Sequence, residues 1–315
     1  MSKRTYLVTG GAGFIGSHIA ERLAREGNRV RVLDDFSSGK EANLESFRDG
    51  VEIVRGDIRD ARLVNDASKG VDIVFHEAAL GSVPRSVAEP LLTHEVNITG
   101  TLNVLLAARD AGVKRVVYAS SSSVYGETPI LPKHEEMTPL PLSPYALSKL
   151  VGEHYAKVFK QVYGFEVVAL RYFNIFGPRQ DLESQYAAVI PRFITALLTG
   201  KSPAVYGDGL QSRDFTYVDN VVEANLLASE ADGAAGKAFN VACGGRYTLI
   251  ELLAKLREMI GSDIEATYEP TRAGDVRDSQ ASIEAAQRVF GYRVLVGFEE
   301  GLRRTVGWYR TQIGE

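Results

Sequence analysis

Tyr145 and Lys149 stand one helical turn apart in the run Ser143-Pro144-Tyr145-Ala146-Leu147-Ser148-Lys149. Ser143 is a good N-cap and Pro144 a good first helical residue, so the phenol and the ammonium share a face near the start of a helix. A tyrosine titrates at about pH 10. A neighbouring ammonium and the positive end of the helix both favour its phenolate, which brings a general base toward neutral pH. The run Ser120 to Ser123 follows a β-rich stretch and offers a hydroxyl to the same reacting oxygen.

A second cluster is built from glycine. Thr9-Gly10-Gly11-Ala12-Gly13-Phe14-Ile15-Gly16 has GxxGxxG spacing between a β-rich run and a helical pattern. Gly10 permits the tight turn and Gly13 lets backbone approach a pyrophosphate. Gly16 lets the helix pack closely on the strand, and the N–H groups around Phe14 and Ile15 are unpaired donors. About 20 residues further on, Asp34 closes the next β-rich run, where a carboxylate accepts ribose hydroxyls and repels a 2′-phosphate; this selects NAD over NADP. Asp57 and Ile58 are placed to hold an adenine edge, and the small pair Ala78-Ala79 leaves room for the nicotinamide ribose. Asn97, in the helix after the fourth strand, reads either as a cofactor-site residue or as a helical surface asparagine.

These residues need strands and helices in alternation. Short β-rich runs stand at 5–9, 29–33, 51–54, 71–76, 115–119 and 166–170, with helical spacing between them. Ile15, Ile19 and Leu23 mark the first helix and Gly27 its stop. Such alternation implies parallel pairing with right-handed crossovers, hence an α/β fold with a doubly wound parallel sheet. Gly10, Asp34, Asp57, Ala78-Ala79, Ser120-Ser121 and Tyr172 to Asn174 each follow a strand, and ligands bind at the carboxyl ends of strands in such sheets. Past Gly177-Pro178 the alternation loosens. Helices are expected at 187–198, 219–229, 249–260, 283–290 and 298–309, giving a second, smaller α/β lobe. We therefore expect a dinucleotide-binding domain over 1–177 and a substrate lobe over 178–315. Within 214–242, Phe215 to Val218 and Ala238 to Ala242 are strand-like and free to return to the main sheet.

The chain has 315 residues, enough for two domains, and its 45% hydrophobic and 24% charged content is that of an ordinary globular protein. Net charge is -4 and no Lys/Arg block tracks a phosphate backbone, which argues against nucleic acid as partner. Cys243 is the one cysteine, so neither a disulfide nor a cysteine metal cluster is expected. His18, His76, His94, His134 and His154 have no metal-ligand spacing. The apolar run at the N-terminus is too short for a signal-peptide core or a membrane span, and a cytoplasmic location without membrane attachment is expected.

Taken in order, TGGAGFIGSH, SSSSVYG, SPYALSK, RYFNIFG, GDGLQSRDFTYVDNVVEA and RAGDVRDS resemble the extended short-chain dehydrogenase/reductase family, and within it the nucleotide-sugar epimerases and decarboxylases, UDP-hexose 4-epimerases above all. The resemblance implies Ser121, Tyr145 and Lys149 as catalytic residues and a tightly held NAD that also touches Tyr172. It implies Asn174 as a diphosphate and substrate ligand, Arg213 and Arg272 as phosphate-gripping residues, and Asp275 as the uridine-ribose carboxylate. Ser82, Ser122, Ser123, Ala188, Val189 and Tyr206 complete the implied substrate site. The implied reaction removes the C4 hydroxyl proton and the C4 hydride, and returns the hydride to the other face of a 4-keto sugar. A glutamate two residues before Val-Tyr-Gly marks the decarboxylases; here that residue is Ser123. A UDP-glucuronate 4-epimerase stays open, with Ser122 and Ser123 on the carboxylate. The segment 79–86, the segment 186–191 and Ser279, where glucose-restricted epimerases carry a bulky tyrosine, point to UDP-N-acetylglucosamine alongside UDP-glucose. A non-catalytic NAD-binding scaffold is the reading from another class, opposed by the intact Ser121, Tyr145 and Lys149. The helices around Asn97 to Ala111 and Tyr145 to Tyr163 match those that form a homodimer in the family.

Overall fold

The computed structural model describes residues 3–181, 188–271 and 276–314. Its centre is a seven-stranded sheet: β1 (Thr5–Thr9), β2 (Arg29–Asp34), β3 (Val51–Arg55), β4 (Ile73–His76), β5 (Arg115–Ser121), β6 (Glu166–Tyr172) and β7 (Ala238–Val241). The spatial order is β7-β6-β5-β4-β1-β2-β3, and every neighbouring pair is parallel. The order reverses between β1 and β4, and a crevice opens at such a switch point, outside the carboxyl ends.

Side chains along each strand alternate between two cores, as the two-residue period requires. Tyr6 and Val8 of β1, Val117 of β5 and Val168 and Leu170 of β6 face one core, where they meet Ile19, Ala20 and Leu23 of the helix Phe14–Arg25 and Val221 and Ala224 of the helix Val218–Glu230. Leu7, Val116 and Val167 face the other, against Val64, Val104, Leu105, Ala156 and Phe159 from helices Ala61–Ser68, Thr101–Asp110 and Pro144–Tyr163. Apolar burial on both faces is what parallel strands need, since the crossover helices cover both.

A third core lies beyond the sheet. Phe193, Ile194, Phe215, Leu252, Phe298 and Leu302 pack together from helices Val189–Leu198, Leu249–Ile260 and Phe298–Ile313 and the chain between them. Three two-stranded pairs rim it: Ile175–Phe176 with Thr216–Tyr217, Ser212–Arg213 with Tyr247–Thr248, and Ala204–Tyr206 with Thr267–Glu269. The two strand-like segments of 214–242 thus part ways. Ala238–Val241 enters the main sheet beside β6, whereas Thr216–Tyr217 pairs with Ile175–Phe176 outside it.

Candidate active site

The glycine loop is shaped by contacts that a side chain would break. Gly10 has φ of 68°, and a Cβ there would sit 2.6 Å from the Ala78 amide nitrogen, so β1 and the end of β4 approach as closely as they do because Gly10 is bare. A Cβ on Gly16 would lie 2.2 Å from the Gly10 carbonyl oxygen, which is the close helix-to-strand packing expected of it. Gly13 is the N-cap of the helix Phe14–Arg25, without a side-chain cap, and the first turn carries no acidic residue. The helix therefore presents the N–H groups around Phe14 and Ile15 to an anion.

Asp34 is buried at the end of β2. Its Oδ2 accepts from the Ala12 N–H at 2.9 Å and its Oδ1 from the Phe36 N–H at 2.8 Å. Each oxygen keeps lone-pair capacity for a ribose hydroxyl. Burial raises its pKa, and the two backbone donors work against the rise. Asp57 is held below the usual carboxylate range by its hydrogen bonds to Arg59, and Ile58 is buried against Gly100. The bare glycine turn, the uncapped helix start and the bidentate-ready carboxylate fit an adenine dinucleotide.

Asn97 is neither a surface residue nor free. It is 1% exposed; its Oδ1 accepts from Leu80 N at 2.8 Å, and its Nδ2 donates to the Leu80 carbonyl at 3.2 Å and to Ser148 Oγ at 3.1 Å. It fixes the loop after β4 to the helix bearing Tyr145. A chain of bonds continues through His76, packed between Thr9 Oγ1 (2.7 Å from Nδ1) and Thr101 Oγ1 (2.9 Å from Nε2). Because Thr101 donates its proton to the Asn97 carbonyl, it must accept from Nε2–H, so His76 is the neutral Nε2–H form.

At the end of β5 the serine run divides its work. Ser120 points away and donates to Glu153, which is paired with Arg171 at 2.7 Å. Ser121 stands beside the Tyr145 phenol and accepts from the Ser123 N–H at 3.2 Å and hydroxyl at 2.9 Å. Ser122 is half-buried beside them. Tyr145 stands in the first turn of Pro144–Tyr163, capped by Ser143 Oγ accepting from Ala146 N at 3.1 Å. Lys149 is 4% exposed, donates to the Ala119 carbonyl at 2.7 Å, and lies 5.9 Å from the centre of the Tyr145 ring.

The electrostatics correct the sequence reading of this pair. Burial pushes the Tyr145 phenol above its ordinary value; the Ser121 hydroxyl draws it down and Glu77 raises it further. Burial also lowers Lys149 to about 8, opposed by the Glu77 carboxylate. The expected phenolate near neutral pH is therefore not reached by Lys149 alone, whose ammonium is directed at a carbonyl. Glu77 was not singled out in the sequence. It sits after β4, accepts from the Tyr172 hydroxyl at 2.9 Å, and is driven by burial to about 7. The Tyr172 hydroxyl is committed to Glu77 and Asn225, so its phenol does not face the cleft as a free group.

Several residues expected at the substrate meet on a cavity of about 230 Å³, lined by Asn174, Ala188, Val189, Tyr206 and Arg213, and also by Arg192, Gln211 and Phe215, which were not expected there. Asn174 donates to the Asp214 carbonyl at 3.2 Å and reaches Ser279 Oγ at 3.5 Å. Ser279 is 6% exposed, so it is no solvent-exposed loop serine. Ser82 caps the helix Val83–Ala88, accepting from Arg85 N at 3.2 Å. Arg213 donates to the Ser212 and Arg277 carbonyls. Beneath these residues the buried Asp214 accepts from the N–H groups of Cys243, Gly244 and Ala281 at 3.0–3.1 Å, joining three distant segments. Arg272, Asp275 and the start of the 186–191 segment lie outside the described residues.

No helix among the described residues is long and apolar enough to cross a membrane. Residues 6–242 match the model of the NAD dependent epimerase/dehydratase family. UDP-glucose 4-epimerase of Mycolicibacterium smegmatis is 39% identical over 97% of this chain and 98% of its own length. Among solved structures, a UDP-N-acetylglucosamine 4-epimerase of Methanobrevibacter ruminantium in complex with UDP-N-acetylmuramic acid is 44% identical, with a TM-score of 0.95 over 99% of this chain and 100% of that one. The UDP-glucose 4-epimerase of Thermus thermophilus in complex with NAD is 40% identical, with a TM-score of 0.89 over 97% and 99%. With the sheet order, the glycine loop and the Ser121, Tyr145 and Lys149 cluster on one cleft, these likenesses lead to one statement: the chain belongs to the NAD dependent epimerase/dehydratase family.

Proposed function

We propose that this chain is an NAD-dependent UDP-sugar 4-epimerase in which Tyr145 moves the proton of the sugar C4 hydroxyl. The observation that carries the reading is the Tyr145 phenol beside Ser121 and the buried Lys149, at the same strand ends as the glycine turn and Asp34. Relatives named as UDP-glucose and UDP-N-acetylglucosamine 4-epimerases, similar over nearly the whole chain, support it.

Asp34 would hold the adenosine ribose, the uncapped helix start the pyrophosphate, and Lys149 the nicotinamide ribose. When bound, NAD supplies a reversible hydride acceptor at the sugar C4, leaving net redox at zero. Tyr145 takes the hydroxyl proton and returns it, and Ser121 donates to the same oxygen as its carbonyl character grows. Arg213, lining the cavity, neutralises the diphosphate by charge-assisted hydrogen bonds. Asn174 and the small, buried Ser279 border the sugar, and the hydroxyl of Ser279 leaves space for an acetamido group at C2. UDP-N-acetylglucosamine and UDP-glucose are the favoured substrates.

We also read a homodimer and a cytoplasmic location. Leu147, Val158 and Val162 lie exposed on one face of Pro144–Tyr163, the surface through which such helices would pair. Anion-exchange separation of UDP-sugars after incubation tests the activity. Interconversion of UDP-N-acetylglucosamine with its C4 epimer, or of UDP-glucose with its own, is expected. Inertness toward both sugars, or conversion of UDP-glucuronate alone, sinks the reading.

A further inference from the structure

Among the described residues, Glu77 is the carboxylate that acts on both Tyr145 and Lys149, and the proton transfer leaves it without a task. Its place is firmly set. The Glu77 N–H donates to the Thr9 carbonyl at 3.1 Å, so the half-buried residue is held where β4 ends beside β1. Its Oε1 lies 2.9 Å from the Tyr172 hydroxyl of β6. Asn225, from the helix Val218–Glu230, gives its two amide protons to the Val221 carbonyl and the Tyr172 oxygen, each at 2.8 Å. The Tyr172 hydroxyl has one proton of its own, and it goes to the charged and nearer Glu77 rather than to Asn225 Oδ1 at 3.2 Å. The carboxylate is thereby clamped by a strand and a helix.

Lys149 needs such a partner. It is 4% exposed, yet what its ammonium touches is neutral: the Ala119 carbonyl at 2.7 Å, and the rings of Tyr118 and Tyr145 with centres 5.1 and 5.9 Å away. His76 on β4 is neutral too, because burial and then the Lys149 charge keep it unprotonated. A buried ammonium among neutral groups sheds its proton unless a negative charge stands near. We infer that Glu77, clamped by Tyr172 and Asn225, is that charge: a positioning residue that keeps Lys149 an ammonium beside Tyr145 while the proton is transferred. The inference rests on the epimerase reading for its kinetic consequence and not for the charge pair itself. Ionised Glu77 raises both Lys149 and Tyr145, so removing its charge should let both fall. Tyr118 and Tyr172, the other phenols facing the pair, are pushed well above their ordinary range by burial and stay neutral throughout.

The test follows Lys149 directly. In NAD-loaded protein carrying carbon-13-labelled lysine, the Cε resonance of Lys149, assigned by its loss in Lys149→Met, is titrated from pH 6 to pH 10 in the wild type, Glu77→Gln and Glu77→Asp. Lys149 should titrate at about 8 in the wild type and about one pH unit lower in Glu77→Gln, whereas Glu77→Asp, which keeps the charge, should stay nearer the wild type. The pH profile of kcat is the second readout, and both of its limbs should move to lower pH in Glu77→Gln. A Lys149 titration that stays put in Glu77→Gln, or moves equally in Glu77→Asp, overturns the inference. So does a kcat that falls by the same factor at every pH with both limbs in place, which is what a merely structural glutamate would give. If the wild type turns over no UDP-sugar, the epimerase reading fails, while the resonance still decides the charge pair.

Discussion

The two sides of the cleft are built by different means. On the cofactor side, position is set by backbone: Gly10 lets two strand ends meet, Gly16 lets the helix lie against the loop, and Asp34 is the last residue of β2. On the substrate side, position is set by side chains that tie together segments far apart in sequence. Asp214 binds 243–244 and 281, and Asn220 fixes the Val296 backbone with its amide at both ends. The first kind of site has few ways to vary, because a Cβ at 2.6 Å from backbone cannot be accommodated. The second kind can change its lining residues while the hub stays, which is how one fold serves many sugars.

The strongest way to probe this contrast is at the junction. Tyr145→Phe removes the proton carrier and should lower kcat by at least about 100-fold while UDP affinity and bound NAD stay as they are. Near-normal turnover would remove Tyr145 from the mechanism. Ser279→Tyr, which fills a buried position beside Asn174, should cut kcat/KM for UDP-N-acetylglucosamine by at least about 50-fold and spare UDP-glucose. An unchanged ratio of the two constants would show that side-chain volume there does not read the sugar.

Smaller effects sharpen the comparison. Gly10→Ala should reduce co-purifying NAD and leave UDP affinity within about threefold, and Asp214→Asn should do the reverse, since an amide cannot accept all three backbone donors as a carboxylate does. Mass spectrometry of denatured protein and calorimetry read the two quantities. If either variant strikes the opposite ligand, the division between backbone-built and side-chain-built halves is wrong. The smallest expected effect is on pH stability. Burial depresses His76 to about 3, so the unfolded state takes up a proton that the folded state refuses. Its stabilisation is complete above about pH 6.5 and is lost as pH falls from there toward 3, and His18, depressed by burial to about 4, acts in the same direction. Urea midpoints at pH 7 and pH 5 should separate, and the gap should shrink in His76→Asn.

Local signals were legible and long-range ones were not. Ser143 and Pro144 announce their helix because a cap is a matter of adjacent residues, and the glycine spacing announces its loop for the same reason. The pairing of Tyr145 with Ser121 was readable because both lie at strand or helix starts that a doubly wound sheet brings together. The direction of the Tyr145 shift was not, because burial dominates it and burial depends on the whole packed cleft. Asn97 was noticed, and burial removes only its surface alternative: nothing in its neighbours says that its amide spans Leu80 and Ser148. Arg192 and Glu77 carry no sequence signal beyond their types, and Asp214, though inside the run GDGLQSRDFTYVDNVVEA, shows nothing there of its role, since each acquires its role from partners brought by folding.

β7 completes the sheet from a segment far downstream of β6, and synthesis order gives that arrangement a temporal meaning. A ribosome that has made residues 1–177 has already made the glycine turn, Asp34, Ser121, Tyr145 and Lys149, yet β6 still lacks its outer neighbour. An unpaired parallel strand edge recruits other chains, so the nascent protein carries an adhesive margin until residue 241 emerges. Helper proteins that shield strand edges should therefore engage it during that interval and release it when Ala238–Val241 docks.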